Sequence, residues 1–384
     1  MLTRRENLFR IFRHEMPEWI PVCGHVDPYN QPSREGMDPN LAAAMGTVRW
    51  SDESTVFFSR YLGMDVMDYM SAPVRRNRKR VSVEYRQEGE DAIEVWHTPA
   101  GELRQARRRC REDGTSYIVE HLVKGAADLP ALAAVFADEE LQADPDALEA
   151  IRKRRELVGD DGILMCFMPG TPLGMMYRVY SGVEALAYLC ADAPQALRDL
   201  FSVMERNYQE QFRIAVSAAA DAFVTMDDTS TTTISPRMFE EHSVPCTDQR
   251  AAVCHRAGKL YFHHSCGLIR DLLPLYRRTR MDAVHAFTVP PIGNVTVAEG
   301  RRALAPYRIG AGLGDRITII ASMGGAMAEV AWDPERMRVW VRQIFQDAHP
   351  EDHFILGLPA YPHRTMAETR AVREECRRYQ RRMP

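Results

Sequence analysis

The stretch Lys259-Leu-Tyr-Phe-His-His-Ser-Cys-Gly267 sets the reading of the whole chain. Leu260, Tyr261 and Phe262 form an apolar run of strand type that delivers His264 and Cys266, and Gly267 breaks the run. Behind the glycine, Leu268-Ile-Arg-Asp-Leu-Leu-Pro-Leu275 predicts a helix with Leu268, Ile269, Leu272, Leu273 and Leu275 on one side. The carboxyl end of a strand, on the turn into a helix, is where barrel enzymes carry their chemistry. Imidazole and thiolate are both zinc-type donors. Taken alone, the pair also suits a core strand that happens to contain His and Cys, because free cysteine is commonly buried.

Working outward, strands and helices alternate from Gly162 to the end of the chain. Ile163-Leu-Met-Cys-Phe-Met168 reads as a buried strand, followed by the loop Pro169-Gly-Thr-Pro172 and helices over 173–190 and 194–219. Ala222-Phe-Val-Thr-Met226 is the next strand, ending in Asp227-Asp228, with a helix from Ser235-Pro236. The strand through Tyr261 comes next. Ala283–Phe287, Ile317–Ala321 and Phe354–Leu356 are further strands, and helices are expected around Val297–Leu304, from Asp333-Pro334 through Phe345, and over Glu368–Tyr379. Sustained alternation of this kind means a parallel sheet. With no G-x-G-x-x-G turn, it predicts an α/β fold of the closed (β/α)8 TIM-barrel type rather than an open nucleotide-binding sheet. Asp227, Asp228, His264, Cys266, His285 and Ser322 all fall at strand ends, which a barrel gathers at one mouth.

The first part of the chain is different. Thr3 and Glu6 form a capping box for a helix with Leu8, Phe9, Ile11 and Phe12 on its apolar face, and Trp19–Val22 is a short strand. His25 and Asp27 follow it as candidate mouth residues. Residues 74–125 hold turn-bounded strands that predict an antiparallel meander. The expected organisation is one barrel domain over 1–384: an N-terminal helical extension and first barrel segment at 1–73, an inserted β-meander at 74–125, and the remainder of the barrel at 126–384.

Composition excludes several classes. The hydrophobic share of 45%, charged share of 27% and net charge of −4 are those of an ordinary globular chain, with no reason to expect nucleic acid or a membrane as partner. Basic runs such as Arg75–Arg80 and Arg107–Arg109 have acids nearby and read as solvated surface. The N-terminus lacks an apolar signal core, and the eight cysteines have no framework spacing, so a cytoplasmic protein with reduced thiols is expected.

In their order, these motifs resemble the uroporphyrinogen decarboxylase superfamily, which includes corrinoid- and coenzyme M-linked methyltransferases. Thr3–Glu6 through Pro17–Val22 looks like its opening helix and first strand, and Phe167–Pro172 resembles its Gly-x-Pro-Thr loop. Asp227-Asp228, Ile234–Phe239 and Val244-Pro245 are close to the methyltransferases' D-D, S-P-x-x-F and x-P elements. His264-Ser-Cys266-Gly267 matches their H-x-C-G, and Glu368 falls at the acid of their closing motif. The resemblance implies that His264 and Cys266 are two of three zinc ligands. The family's third is a Cys near the position of Pro359, and no Cys is there. His363, Tyr361 or an acid such as Asp228 would then substitute, or the site is degenerate. Decarboxylase members use an N-terminal Arg pair, of which Cys23–Arg34 retains only Arg34.

The expected function is zinc-assisted transfer of a methyl group between a small methylated substrate and a thiol or a corrinoid carried by a partner protein. A metal-free decarboxylase or lyase for a small carboxylated substrate is the alternative, and a non-catalytic barrel that has lost its third ligand is another. Asp227, Asp228 and His285 are the catalytic candidates. His25, Asp27, Met168, Thr171 and Tyr177 are the substrate-binding candidates, and His264, Cys266 and His363 the metal candidates. His263 should point away from His264, as structural neighbours on a strand do. The state of assembly is open, with a homodimer as one option.

Overall fold

The computed structural model describes residues 2–24, 54–111, 116–305, 317–322, 334–348, 353–358 and 366–380. His25, Asp27, Pro359, Tyr361 and His363 lie outside the described residues, and so does the side chain of Glu368. Helix α1, Arg4–Phe12, opens on the expected capping box between Thr3 and Glu6. The barrel strands are β1 (Val22–Gly24), β2 (Val66–Ser71), β3 (Gly162–Met168) and β4 (Ala222–Thr229), then β5 (Leu260–Ser265), β6 (Ala283–Thr288), β7 (Thr318–Ser322) and β8 (Phe354–Leu358).

Each of these strands pairs in parallel with its chain neighbours from β2 to β8, and β8 pairs with β1. A bridge between Cys23 and Asp65 brings β1 to the start of β2 and closes the ring. The fold is the TIM barrel that the alternation predicts. The inserted meander is a four-stranded antiparallel sheet between Ser82 and Glu120, lodged between β2 and β3.

The period of two along each strand sorts side chains between two cores. Inward residues such as Met67, Met165, Val224 and Phe262 fill the barrel. Outward residues such as Leu164, Cys166, Met168, Phe223 and Tyr261 pack under the surrounding helices. Helix α1 plugs the floor: Leu8, Ile11 and Phe12 are buried within the barrel core, and the Phe12 ring lies 5.2 Å from that of Phe262.

The helix expected at Leu268–Leu275 is reduced to a 3-10 turn, Arg270–Leu272, and one α-turn, Leu273–Tyr276. The reason is backbone hydrogen bonding. The N–H of Leu268 donates to Ser230, its carbonyl accepts from Thr231, and the N–H groups of Ile269 and Arg270 donate to Asn294. The Leu268 carbonyl, which a helix begun there would use for itself, is committed to the neighbouring loop. The Arg75–Arg80 run is salt-bridged to Asp138, Glu139, Glu140 and Asp144. All eight cysteines are free, and among the described residues no helix is long and apolar enough to cross a membrane.

Candidate active site at the barrel mouth

On β5, alternation turns Phe262 and His264 into the barrel and Tyr261 and His263 outward. His263 is fully buried, with Nε2 2.9 Å from the Thr229 hydroxyl and Nδ1 3.5 Å from Asp227. Burial holds its pKa below the usual histidine value, against the pull of Asp227. It is a packing residue, as its parity predicts.

His264 is the centre of the site. Its Nε2 lies 2.9 Å from Asp228 Oδ1, and its Nδ1 lies 2.9 Å from Nδ1 of His285. His285 Nε2 is 2.7 Å from the Tyr69 hydroxyl. The Cys266 thiol lies close enough to the His264 imidazole to help raise its pKa. On the far side of Asp228, Arg178 Nε lies 2.5 Å from Oδ2.

Two backbone irregularities bring these groups together. Pairing between β4 and β5 slips between Thr225 and Thr229, and Asp228 sits in the slip at φ +50°. Pairing between β6 and β7 slips between Val284 and Phe287, with Ala286 at φ +58°. Left-handed backbone at a non-glycine residue costs about 1–3 kcal/mol and persists only where surroundings enforce it. Here the enforcement is visible. The Tyr177 hydroxyl donates to the Asp227 carbonyl, and Arg178 donates to the Met226 carbonyl. The two bulges aim Asp228 and His285 at opposite nitrogens of His264.

The electrostatics follow from the geometry. Burial opposes charge on both partners. The contacts with Asp228 and Cys266 nevertheless raise the His264 pKa to about 9, and His264 with Arg178 lowers that of Asp228 to about 2. A protonated His264 donates from both nitrogens. His285 must then accept at Nδ1 and carry its proton on Nε2, from which it donates to Tyr69. Burial, and secondarily Cys23 and Asp68, push the Tyr69 hydroxyl above its usual range.

His264, His285 and Tyr69 border a cavity of about 260 Å³ at the mouth, whose wall also includes Phe167, Met226 and Ile320. A larger cleft of about 560 Å³ lies at the floor, where Arg4, Arg373 and Arg377 face Asp65, Asp160 and Asp161. Charges balance there, and the chemically active side chains line the smaller space.

The other expected site residues fall into a supporting layer. Asp227 points outward and is 1% exposed; its Oδ1 accepts from the Thr171 N–H and hydroxyl, each at 2.7 Å. Thr171 is buried and caps the turn Pro172–Met175. Tyr177 braces the Asp227 carbonyl, and Met168 packs outward under the helices. None of these four is part of the cavity wall. Tyr69, Arg178 and Cys23 are site residues that the motifs did not reveal. For Tyr69 the signal was present: Val66-Met-Asp-Tyr-Met70 is strand-like, with Tyr69 in phase with Met67.

Zinc favours nitrogen and sulfur donors. His264 and Cys266 supply one of each, two residues apart, with His264 in the wall of an apolar space. Among the described residues no third His, Cys, Asp or Glu completes a metal-holding group with them. Both His264 nitrogens are engaged, so a metal there would displace Asp228 or His285 and release a proton. The donor chemistry thus fits zinc for two ligands.

The sequence profile of the uroporphyrinogen decarboxylase (URO-D) family matches residues 108–374. No curated protein sequence matches the chain. Among solved structures, a methyltransferase from Methanosarcina mazei is similar over 99% of this chain and 99% of its own, with 13% identity and a TM-score of 0.60. A B12-independent methionine synthase from Shewanella sp. W3-18-1, in complex with selenomethionine, is similar over 94% of this chain and 98% of its own. Its identity is 9% and its TM-score 0.51. Both likenesses are of fold.

Proposed function

Because the chain belongs to the uroporphyrinogen decarboxylase (URO-D) family, we propose that its barrel mouth is a methyl-transfer site. A methyl group would pass between a small methylated substrate and a thiol or a corrinoid carried by a partner protein. The observation that carries this reading is the His264 imidazole in the wall of a largely apolar cavity, with the Cys266 thiol close enough to help raise its pKa. His264 and Cys266 would hold zinc, with His363 as the candidate third ligand. When bound, zinc would supply Lewis-acid charge that activates a thiol or makes an ether oxygen a better leaving group.

The chain's own residues then have distinct roles. Asp228, fixed by Arg178, orients the His264 ring, as carboxylates do behind metal-bound histidines. His285 and Tyr69 hold a proton at the edge of the cavity, 2.7 Å apart, within reach of a leaving oxygen or sulfur. Met67, Phe167, Met226 and Ile320 exclude water and so strengthen these interactions.

A second reading is favoured by one observation, the continuous hydrogen-bonded chain Asp228–His264–His285–Tyr69. Such a chain suits metal-free proton transfer in a lyase or decarboxylase. Metal analysis of protein purified without added zinc separates the two. Methyl transfer predicts about one zinc per chain, lost in the His264→Ala/Cys266→Ala double variant. Metal-free protein that still turns over substrate would overturn it.

A further inference from the structure

In the floor cleft, acidic and basic residues match in number but not in pairing. Asp161 is bound to Arg60 at 2.7 Å, and Asp160 is exposed, with its charge acting on Arg155. Asp65 is 2% exposed and accepts from the Val22 N–H at 3.0 Å and the Trp19 indole at 3.2 Å. Of the three arginines, only Arg4 has a carboxylate within reach, Asp65 at 3.4 Å. Arg373 and Arg377 stand one turn apart on the closing helix, Met366–Gln380, and form no salt bridge among the described residues. The buried Nε of Arg373 has no hydrogen-bond partner there, and the adjacent Glu374 is bonded to Arg338 at 2.8 Å.

Local geometry forces these guanidinium groups together. The carbonyl of Gly63, at φ +63°, accepts from Arg4 at 3.0 Å, and a Cβ built on Gly63 would lie 2.3 Å from Nη2 of Arg373. Glycine thus keeps open the place that Arg373 takes beside Arg4. Burial, then Arg377 and Arg4, pull the Arg373 pKa down, as expected where like charges meet without an opposite one. Leu2, Thr3 and Arg4 also bring the N-terminal end of α1, the positive end of its dipole, to the same cleft. The remaining wall is apolar, with Trp19, Ile20, Val22 and Met64. Roughly 150 Å³ is enough to hold benzene, so the cleft's 560 Å³ has room for an oxyanion and an apolar body attached to it.

We propose that the floor cleft binds a small phosphate monoester, with the phosphate between Arg4, Arg373 and Arg377 and an apolar body along Trp19, Ile20 and Met64. Three guanidinium groups and a helix N-terminus suit a dianion with three terminal oxygens better than a carboxylate with two. The bound phosphate would supply the opposite charge that Arg373 and Arg377 lack. The cleft shares no wall residue with the mouth cavity, so this site stands apart from the methyl-transfer reading.

The test is calorimetric titration of the full-length chain, at low salt and near neutral pH, with phenyl phosphate, inorganic phosphate and benzoate. Burial of the ring predicts that phenyl phosphate binds about tenfold more tightly than inorganic phosphate, and its second charge that it binds more tightly than benzoate. Arg373→Gln should weaken phenyl phosphate binding by about tenfold or more, and Arg377→Gln should weaken it too. Arg377 is exposed, so its variant keeps the test decisive should Arg373→Gln fold poorly. His264→Ala should leave the affinity unchanged, because a phosphate held at the mouth would be lost there instead. No binding of phenyl phosphate, equal affinity for either of the other two anions, binding that survives in both arginine variants, or binding lost in His264→Ala would overturn the proposal.

Discussion

At the floor of the barrel, Phe12 packs against Phe262 among Leu8, Ile11, Ile163 and Ile355, and the strands run in regular register. At the mouth, two residues further along the same strand as Phe262, His264 is held between Asp228 and His285, and the neighbouring strands slip register on both sides. In the core of the floor the inward residues are apolar, regular and close-packed. The mouth departs from this pattern, with two non-glycine residues at positive φ and buried ionisable groups bound to one another. The contrast teaches a division of labour. Stability resides where sequence pattern and structure agree, and chemistry where the structure holds residues against their preferences.

The comparison can be broken from either end. The largest effect expected is on activity. His264→Ala should lower kcat/KM by roughly 10²- to 10⁴-fold, while the urea midpoint moves little; a comparable loss from His263→Asn without unfolding would refute the assignment of the two histidines. At the floor, Phe12→Ala should destabilise the fold by about 3–5 kcal/mol, read from urea unfolding. The kcat/KM of the fraction that stays folded should be unchanged, and a loss there would mean the floor and mouth are coupled.

Gly174 joins the two behaviours. A Cβ built on it would lie 2.3 Å from Asp227 Oδ1, against a buried carboxylate held by Thr171. Gly174→Ala should therefore cost about 1–3 kcal/mol and also lower activity, because Asp227 precedes Asp228 directly on β4.

The smallest effect is a pH dependence in metal-free protein. Asp228 has a folded pKa of about 2, below the ordinary 3.8, so its contribution is present above pH 3.8 and lost as pH falls through about 2. His264 has a folded pKa of about 9, above the ordinary 6.5, so its contribution is complete below pH 6.5 and lost as pH rises through about 9. The difference in thermal midpoint between the unaltered protein and Asp228→Asn should be greatest between about pH 4 and 6.5 and shrink outside that window. A difference independent of pH would mean that the pair is not ionic.

Much of the fold was legible in the chain because period-two and helical patterns report burial directly. The apolar runs in β3, β4, β5 and β6 each placed a strand, and parity alone separated His263 from His264. The site was legible only in part. No local pattern announces that Asp228 and Ala286 adopt positive φ, since glycine is the usual signal and neither is one. Without those bulges, the convergence of Asp228, His264 and His285 cannot be drawn. Arg178 was hidden for a related reason: its partners, Asp228 and the Met226 carbonyl, lie on a strand reached through the fold rather than along the chain. Asp227 carries the same chemistry as its neighbour, yet its phase turns it into the supporting layer.

The most direct test of the central claim is X-ray absorption at the zinc edge on full-length protein loaded with one equivalent of the metal. The account predicts a sulfur scatterer at ~2.3 Å together with nitrogen or oxygen, the sulfur shell vanishing in Cys266→Ser. A first shell of oxygen and nitrogen alone in the unaltered protein would contradict it.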